Sequence, residues 1–229
     1  MPNVETFKRG QVAWALWRAF SQRDEKVPAA FSTRLRKMGE LGVPLSEKER
    51  PGQAGIDIDY TVHHAFELGV ALKCLDIGLK QSEVAFFMHH IRDDLREVYR
   101  AIMASPPSPR QRIFAKDSPN SPARMVVAGG DPKGLGDPLR SNLSDNSVYM
   151  TFRSVEIREA WGTSKSKKKE PFIFVPKFLR GLEALTEEME RLAHYIGDDT
   201  RIVIELSNFA VLLTDSLKQA PQMRRGAVK

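Results

Sequence analysis

Short hydroxyl and cationic side chains crowd one stretch of the chain: Ser32, Thr33, Arg34, Arg36 and Lys37 lie within six consecutive residues. Such groups donate to phosphate oxygens and base edges, and an arginine set bidentate on guanine is worth about 1–3 kcal/mol of discrimination. Arg9, Lys48 and Arg50 supply further cations of the kind that contact backbone phosphate. Two histidine pairs, His63-His64 and His89-His90, suggest a metal site, with Asp93 and Asp94 four residues beyond the second pair. Adjacent helical residues point about 100° apart, so neither pair converges on one ion, and no metal is expected. Cys74 has no histidine placed beside it to activate it and reads as a small buried thiol. The run Gly129–Gly136 has no strand before it and no helix after it, as a phosphate loop would require. With no nucleophile elbow and no paired acids among apolar residues, neither catalysis nor a cofactor is expected.

The composition narrows the field further. The chain has 229 residues, of which 41% are hydrophobic and 28% charged, enough apolar surface for a sizeable core and too much for a disordered chain. No apolar run approaches the roughly 18–20 residues that cross a bilayer, and the first residues lack the layout of a secretion signal. A single cysteine closes no internal bridge, so a cytoplasmic, reducing setting is expected. The net charge of +6 favours polyanions. Residues 1–50 hold ten Lys or Arg against six Asp or Glu, whereas residues 51–100 hold five against eight, so the positive excess sits at the front.

Those candidates must be held by elements, and the periodicity predicts them. Val12, Leu16 and Phe20 recur at helical spacing within residues 7–20, with Ala13 and Trp17 beside them. Trp14 and Trp17 near Lys8, Arg9 and Arg18 have the aromatic–basic mixture of single-strand binders, but core packing is the favoured role. Pro28 opens a second helix, marked by Phe31, Leu35 and Met38 and ended by Gly42, whose other side carries Ser32, Thr33, Arg36 and Lys37, with Arg34 near the edge. A Pro- and Gly-broken loop over 43–60 ends in a short strand from Ile56 to Tyr60. Thr61 caps a third helix that stops at Gly78, and Val84, Phe87, Ile91, Leu95, Val98 and Ile102 give a fourth one long apolar stripe.

Prolines from Pro106 to Pro109 break that helix, and residues 105–146 read as a Pro/Ser/Gly linker. Beyond it, 148–157 and 172–178 read as a hairpin with a basic tip, Lys165–Lys169. An amphipathic helix then runs from Leu182 to about Gly197, and 201–213 holds two strands before a short terminal helix. The expected fold is α+β: an N-terminal four-helix domain over 1–104, the linker, and a small C-terminal α/β domain over 147–229.

Three segments in the front half resemble the MerR-type transcription regulators, whose DNA-binding domain is a winged helix-turn-helix. Leu35-Arg36, followed by Leu41-Gly42-Val43-Pro44, resembles the end of their recognition helix. Gly55 to Tyr60 is similar to the end of their wing, and Leu75-Asp76-Ile77-Gly78-Leu79 with Glu83-Val84 is similar to their helix–turn–helix signature. The resemblance spans about residues 7–102 and implies a bacterial, cytoplasmic and nucleoid-associated regulator that binds double-stranded DNA without catalysis. In that reading the 28–42 helix enters the major groove with Ser32, Thr33, Arg34, Arg36 and Lys37, while Arg9, Lys48 and Arg50 contact the backbone. A homodimer is implied, with RNA polymerase a further partner. Pro106 and Pro107 stand where the family's dimerising coiled coil would run, leaving the fourth helix or the C-terminal segment to make the contact. The alternative is an interaction adaptor that keeps the shape without binding DNA, a reading favoured by Asp57, Asp59, Asp93 and Asp94.

Overall fold

The computed structural model describes residues 5–21, 26–45, 49, 58–107, 146–165, 176–193 and 201–222. The chain is α+β, with seven helices and two small antiparallel sheets among the described residues. A short strand β1 (Thr6–Lys8) leads directly into α1 (Arg9–Ser21), and α2 (Ala29–Glu40) follows. Strand β2 (Asp59–Thr61) pairs antiparallel with β1, Phe7 opposite Tyr60, so the ladder closes a loop around α1 and α2. The periodicity over 7–20 hides β1, because three residues with one buried ring give no alternation to read.

Local chemistry sets the next boundaries. Pro28 stands one residue before α2 with extended backbone, and Gly42 takes φ 91° after it, a conformation that disfavours any residue with a Cβ. Helix α3 (Val62–Asp76) begins with a capping box: Thr61 Oγ1 accepts the His64 N–H at 3.3 Å, and His64 Nδ1 accepts the Thr61 N–H at 3.2 Å. Gly78, at φ 90°, turns the chain into α4 (Gln81–Ala104), whose Val84, Phe87, Ile91, Leu95 and Ile102 are buried.

After α4, residues 108–145, most of the expected linker and the whole Gly129–Gly136 run, lie outside the described residues. The chain re-enters at β3 (Val148–Arg153), continues as α5 (Ser154–Lys165), and then forms β4 (Lys177–Arg180), α6 (Gly181–Ala193), β5 (Arg201–Glu205) and α7 (Ser207–Lys218). The sheet order is β4-β3-β5, with Met150 opposite both Phe178 and Ile204. This corrects two expectations. The 148–157 strand ends at Arg153, because Ile157, Ala160 and Trp161 take up helical spacing; β3 and β4 do pair, but across a helix instead of a hairpin tip. The expected second strand within 201–213 is helical: the Glu205 carboxylate accepts the Asn208 N–H at 2.9 Å, and Phe209, Ala210, Leu213 and Leu217 bury one helical face. The basic Lys165–Lys169 tip and Gly197 fall outside what is described, apart from the backbone of Lys165.

The core is shared by the two halves of the chain. Leu16, Phe66, Leu72, Phe87 and Leu95 from the first four helices form one buried cluster with Met150, Phe152, Phe209 and Leu213 from beyond residue 146. Helix α7 is the main bridge. Phe209 meets Phe20 of α1 with ring centroids 5.3 Å apart and Phe66 of α3 at 6.0 Å, and the Phe87 ring of α4 sits 5.1 Å from Phe152 of β3. The expected C-terminal unit therefore does not bury its apolar face separately; it completes the packing of the helices that precede it.

Candidate nucleic-acid interface

Helix α2 turns Phe31, Leu35 and Met38 inward, and its placement follows from what they meet. Phe31 stands edge-on to Trp17 at 5.4 Å and to Phe20 at 6.1 Å, so two rings of α1 set the angle of α2. The i, i+4 spacing then forces Ser32 with Arg36 and Thr33 with Lys37 onto the opposite side, and all four are exposed. Arg9, the first residue of α1, is exposed as well. Among the described residues neither Arg9 nor Lys37 is held in an ion pair, and Arg36 meets only Glu40, at 3.7 Å on an open surface.

Arg34 is placed differently. Its Nη2 donates to Asp76 Oδ1 at 2.6 Å, at the far end of α3, so the guanidinium ties α2 to α3 instead of standing with the outward set. Lys48 and Arg50 lie outside the described residues. The structure thus gathers five of the candidate residues, Arg9, Ser32, Thr33, Arg36 and Lys37, on exposed surface of α1 and α2, and turns Arg34 aside.

The C-terminal turn of α2 is fixed by a network that the sequence reading missed. Arg92 of α4 donates through Nη2 to the Gly42 carbonyl at 3.2 Å and through Nε to Glu67 Oε2 of α3 at 3.2 Å. Its Nη1 also reaches Glu49 at 3.3 Å, in the loop that follows α2. Arg96, one turn later, lies 3.4 Å from Glu67 Oε1 and 3.9 Å from Glu49. Glu67 is 1% exposed, and burial pushes its carboxyl up to about 7 against the opposing pull of Arg92 and Arg96. An acid within the apolar run Ala65-Phe66-Glu67-Leu68, together with arginines four apart on the next helix, was the available signal.

His63 and His64 serve the scaffold. Besides capping α3, His64 is driven down to about 4, first by burial and then by Arg96, Arg92 and His63, with Glu49 opposing. His63 lies 4.9 Å from the Tyr99 ring, and His90 Nδ1 is 2.8 Å from the Phe86 carbonyl. No group of three or more metal-ligating side chains occurs among the described residues. Cys74 is fully buried, which pushes its thiol up to about 12. Asp59, at the end of the loop, is paired with Lys8 across the ladder at 2.6 Å. Trp14 and Trp17 are half-buried against the core, with the Arg18 guanidinium 5.1 Å from the Trp14 ring.

No helix among the described residues is long and apolar enough to cross a membrane. No family model, curated protein or solved structure matches the chain.

Proposed function

We propose that the chain is a MerR-like transcription regulator that binds double-stranded DNA, with α2 in the major groove and no catalytic step. The observation that carries this reading is a helix clamped from behind and open in front. The Arg34–Asp76 pair ties the middle of α2 to α3 and the Arg92–Gly42 hydrogen bond holds the turn just past its C-terminal end, while Ser32, Thr33, Arg36 and Lys37 face outward. A recognition helix needs that combination, because side chains reach base edges only if their backbone is fixed relative to the phosphates. Arg9 then contacts backbone phosphate, and the β1–β2 ladder sets the start of α1 against the end of the loop. Arg34 acts as a positioning residue, not as a base reader. A homodimer on a two-fold symmetric site is part of the reading, as are RNA polymerase as a further partner and a nucleoid-associated location.

The adaptor reading draws on one feature: Leu41 and Ile77 are 40% and 43% exposed at the α2 and α3 ends, beside the Arg34–Asp76 pair. Titrating a labelled mixed-sequence duplex at low and at physiological salt separates the two readings. The regulator binds at low salt and weakens steeply as salt rises; an adaptor binds at neither concentration.

A further inference from the structure

The inner edge of the same surface holds a cavity. It measures about 710 Å³ and lies between α1, α2 and β2, walled by Val12, Leu35, Leu45 and Tyr60, with Arg9 and Arg36 also lining it. Each of those four walls is at most 7% exposed, whereas both arginines are exposed. Small-molecule sites combine an apolar interior of this size with a few polar groups that fix orientation. The charged groups at its lining are two cations, Arg9 and Arg36, and one anion, Glu40, which faces Arg36 at 3.7 Å, with Tyr60 bringing a neutral hydroxyl.

We propose that this cavity binds a compact hydrophobic carboxylate, its apolar body against Leu35, Leu45 and Tyr60 and its head between Arg9 and Arg36. Charge complementarity selects the class: an apolar body is welcome inside, and a carboxylate matches the planar donor fork of a guanidinium. The consequence rests on the proposed function above. Arg9 and Arg36 are two of the cations assigned to DNA, so a bound carboxylate competes with phosphate for them and lies directly beneath the recognition helix. The ligand acts as a releasing effector, lowering apparent DNA affinity by a factor set by its concentration over its Kd.

The test uses the full chain. Benzoate, 4-phenylbutyrate and decanoate, with 4-phenylbutan-1-ol as the uncharged counterpart of the second, are titrated calorimetrically without DNA. The expected result is binding of at least one acid with a Kd below about 1 mM. The alcohol should bind about tenfold more weakly than 4-phenylbutyrate, and Arg9→Gln/Arg36→Gln should lose about tenfold for the acids. Both arginines are on the surface, so an unchanged melting midpoint confirms that the variant folds. No binding by any of the three acids overturns the proposal, as does equal binding of acid and alcohol. A duplex titration with and without the bound acid follows. If the chain binds no DNA even at low salt, the regulator reading fails while calorimetry still decides the cavity; if DNA binds equally with the acid present, the effector role is overturned.

Discussion

Replacing Gly69 by alanine tests whether the C-terminal segment is built into the helices that carry the candidate interface. A Cβ at Gly69 would stand 2.0 Å from Cζ and 2.5 Å from Cε1 of Phe209, and 3.1 Å from Cδ2 of Leu16. Carbon atoms rest at about 3.5–4.0 Å, so the methyl and the ring cannot coexist without movement. Phe209 has little room to retreat: it is 4% exposed, with Phe20 and Phe66 beside it and Lys73 Nζ 5.0 Å from its ring centroid. Overpacking of this kind costs about 1–3 kcal/mol, and the depth of the overlap argues for the upper end. Alanine returns about 1 kcal/mol through helix propensity, leaving a net loss of about 2 kcal/mol. For a chain of this size that lowers the melting midpoint by about 4–8 °C. Gly39→Ala is the control, since nothing lies within 4 Å of a Cβ there and only the propensity gain remains. Phe209→Leu should relieve the clash, giving a coupling of about 0.5–3 kcal/mol in a double-mutant cycle. Scanning calorimetry on the four variants decides it. Gly69→Ala as stable as the parent, or strictly additive with Phe209→Leu, would refute the packing of α7 on α1 and α3.

Three further outcomes follow from the same structure. His64 Nδ1 accepts the Thr61 N–H, so the ring must be neutral to cap α3; its unfolded value is 6.5 and its folded value about 4. A depressed folded value means this stability is complete above pH 6.5 and is lost as pH falls towards 4, so His64→Gln, which can cap without titrating, should melt with the parent at pH 7.5 and above it at pH 5. Cys74 should resist a thiol reagent at pH 8 in the native protein and react fully in denaturant, with slow native labelling reporting opening of α3. Residues 1–104 expressed alone expose the surfaces that Phe209, Leu213 and Leu217 cover, and circular dichroism should show a broad, early melt instead of a cooperative one.

The helices of the front half were legible because each carries its own signal: the stripe from Val84 to Ile102 at 3.6-residue spacing, Thr61 as a cap, Gly42 and Gly78 as stops. Exposure of Ser32, Thr33, Arg36 and Lys37 follows from the same periodicity. What escaped depends on partners distant in the chain. Arg34 stands three residues after Phe31 and four before Met38, so periodicity sets it at the edge of the exposed face; that Asp76, 42 residues away, claims its guanidinium is not written in any local pattern. The Glu67–Arg92–Arg96 network needs α3 and α4 already packed before its charges meet. In the last third, β-branched residues after Arg201 suggest strand throughout, but burial of Phe209 against α1 and α3 favours helix there, packing overriding local preference.

The central claim is that the outward cations of α1 and α2 bind duplex DNA, Arg9 at backbone phosphate and Arg36 and Lys37 in the major groove. Its most direct test is the salt slope of binding to a fluorescent mixed-sequence duplex, compared between the parent, Arg9→Gln/Arg36→Gln/Lys37→Gln and Arg34→Gln. Each phosphate contact adds about 0.9 to the slope of log K against log salt, so the triple variant, which loses the phosphate contact of Arg9 together with two groove-facing cations, should bind more weakly and with a slope flatter by at least about 0.9, while Arg34→Gln leaves the slope unchanged. A triple variant that binds with the parent's slope, or a parent that binds no duplex at low salt, would contradict the account.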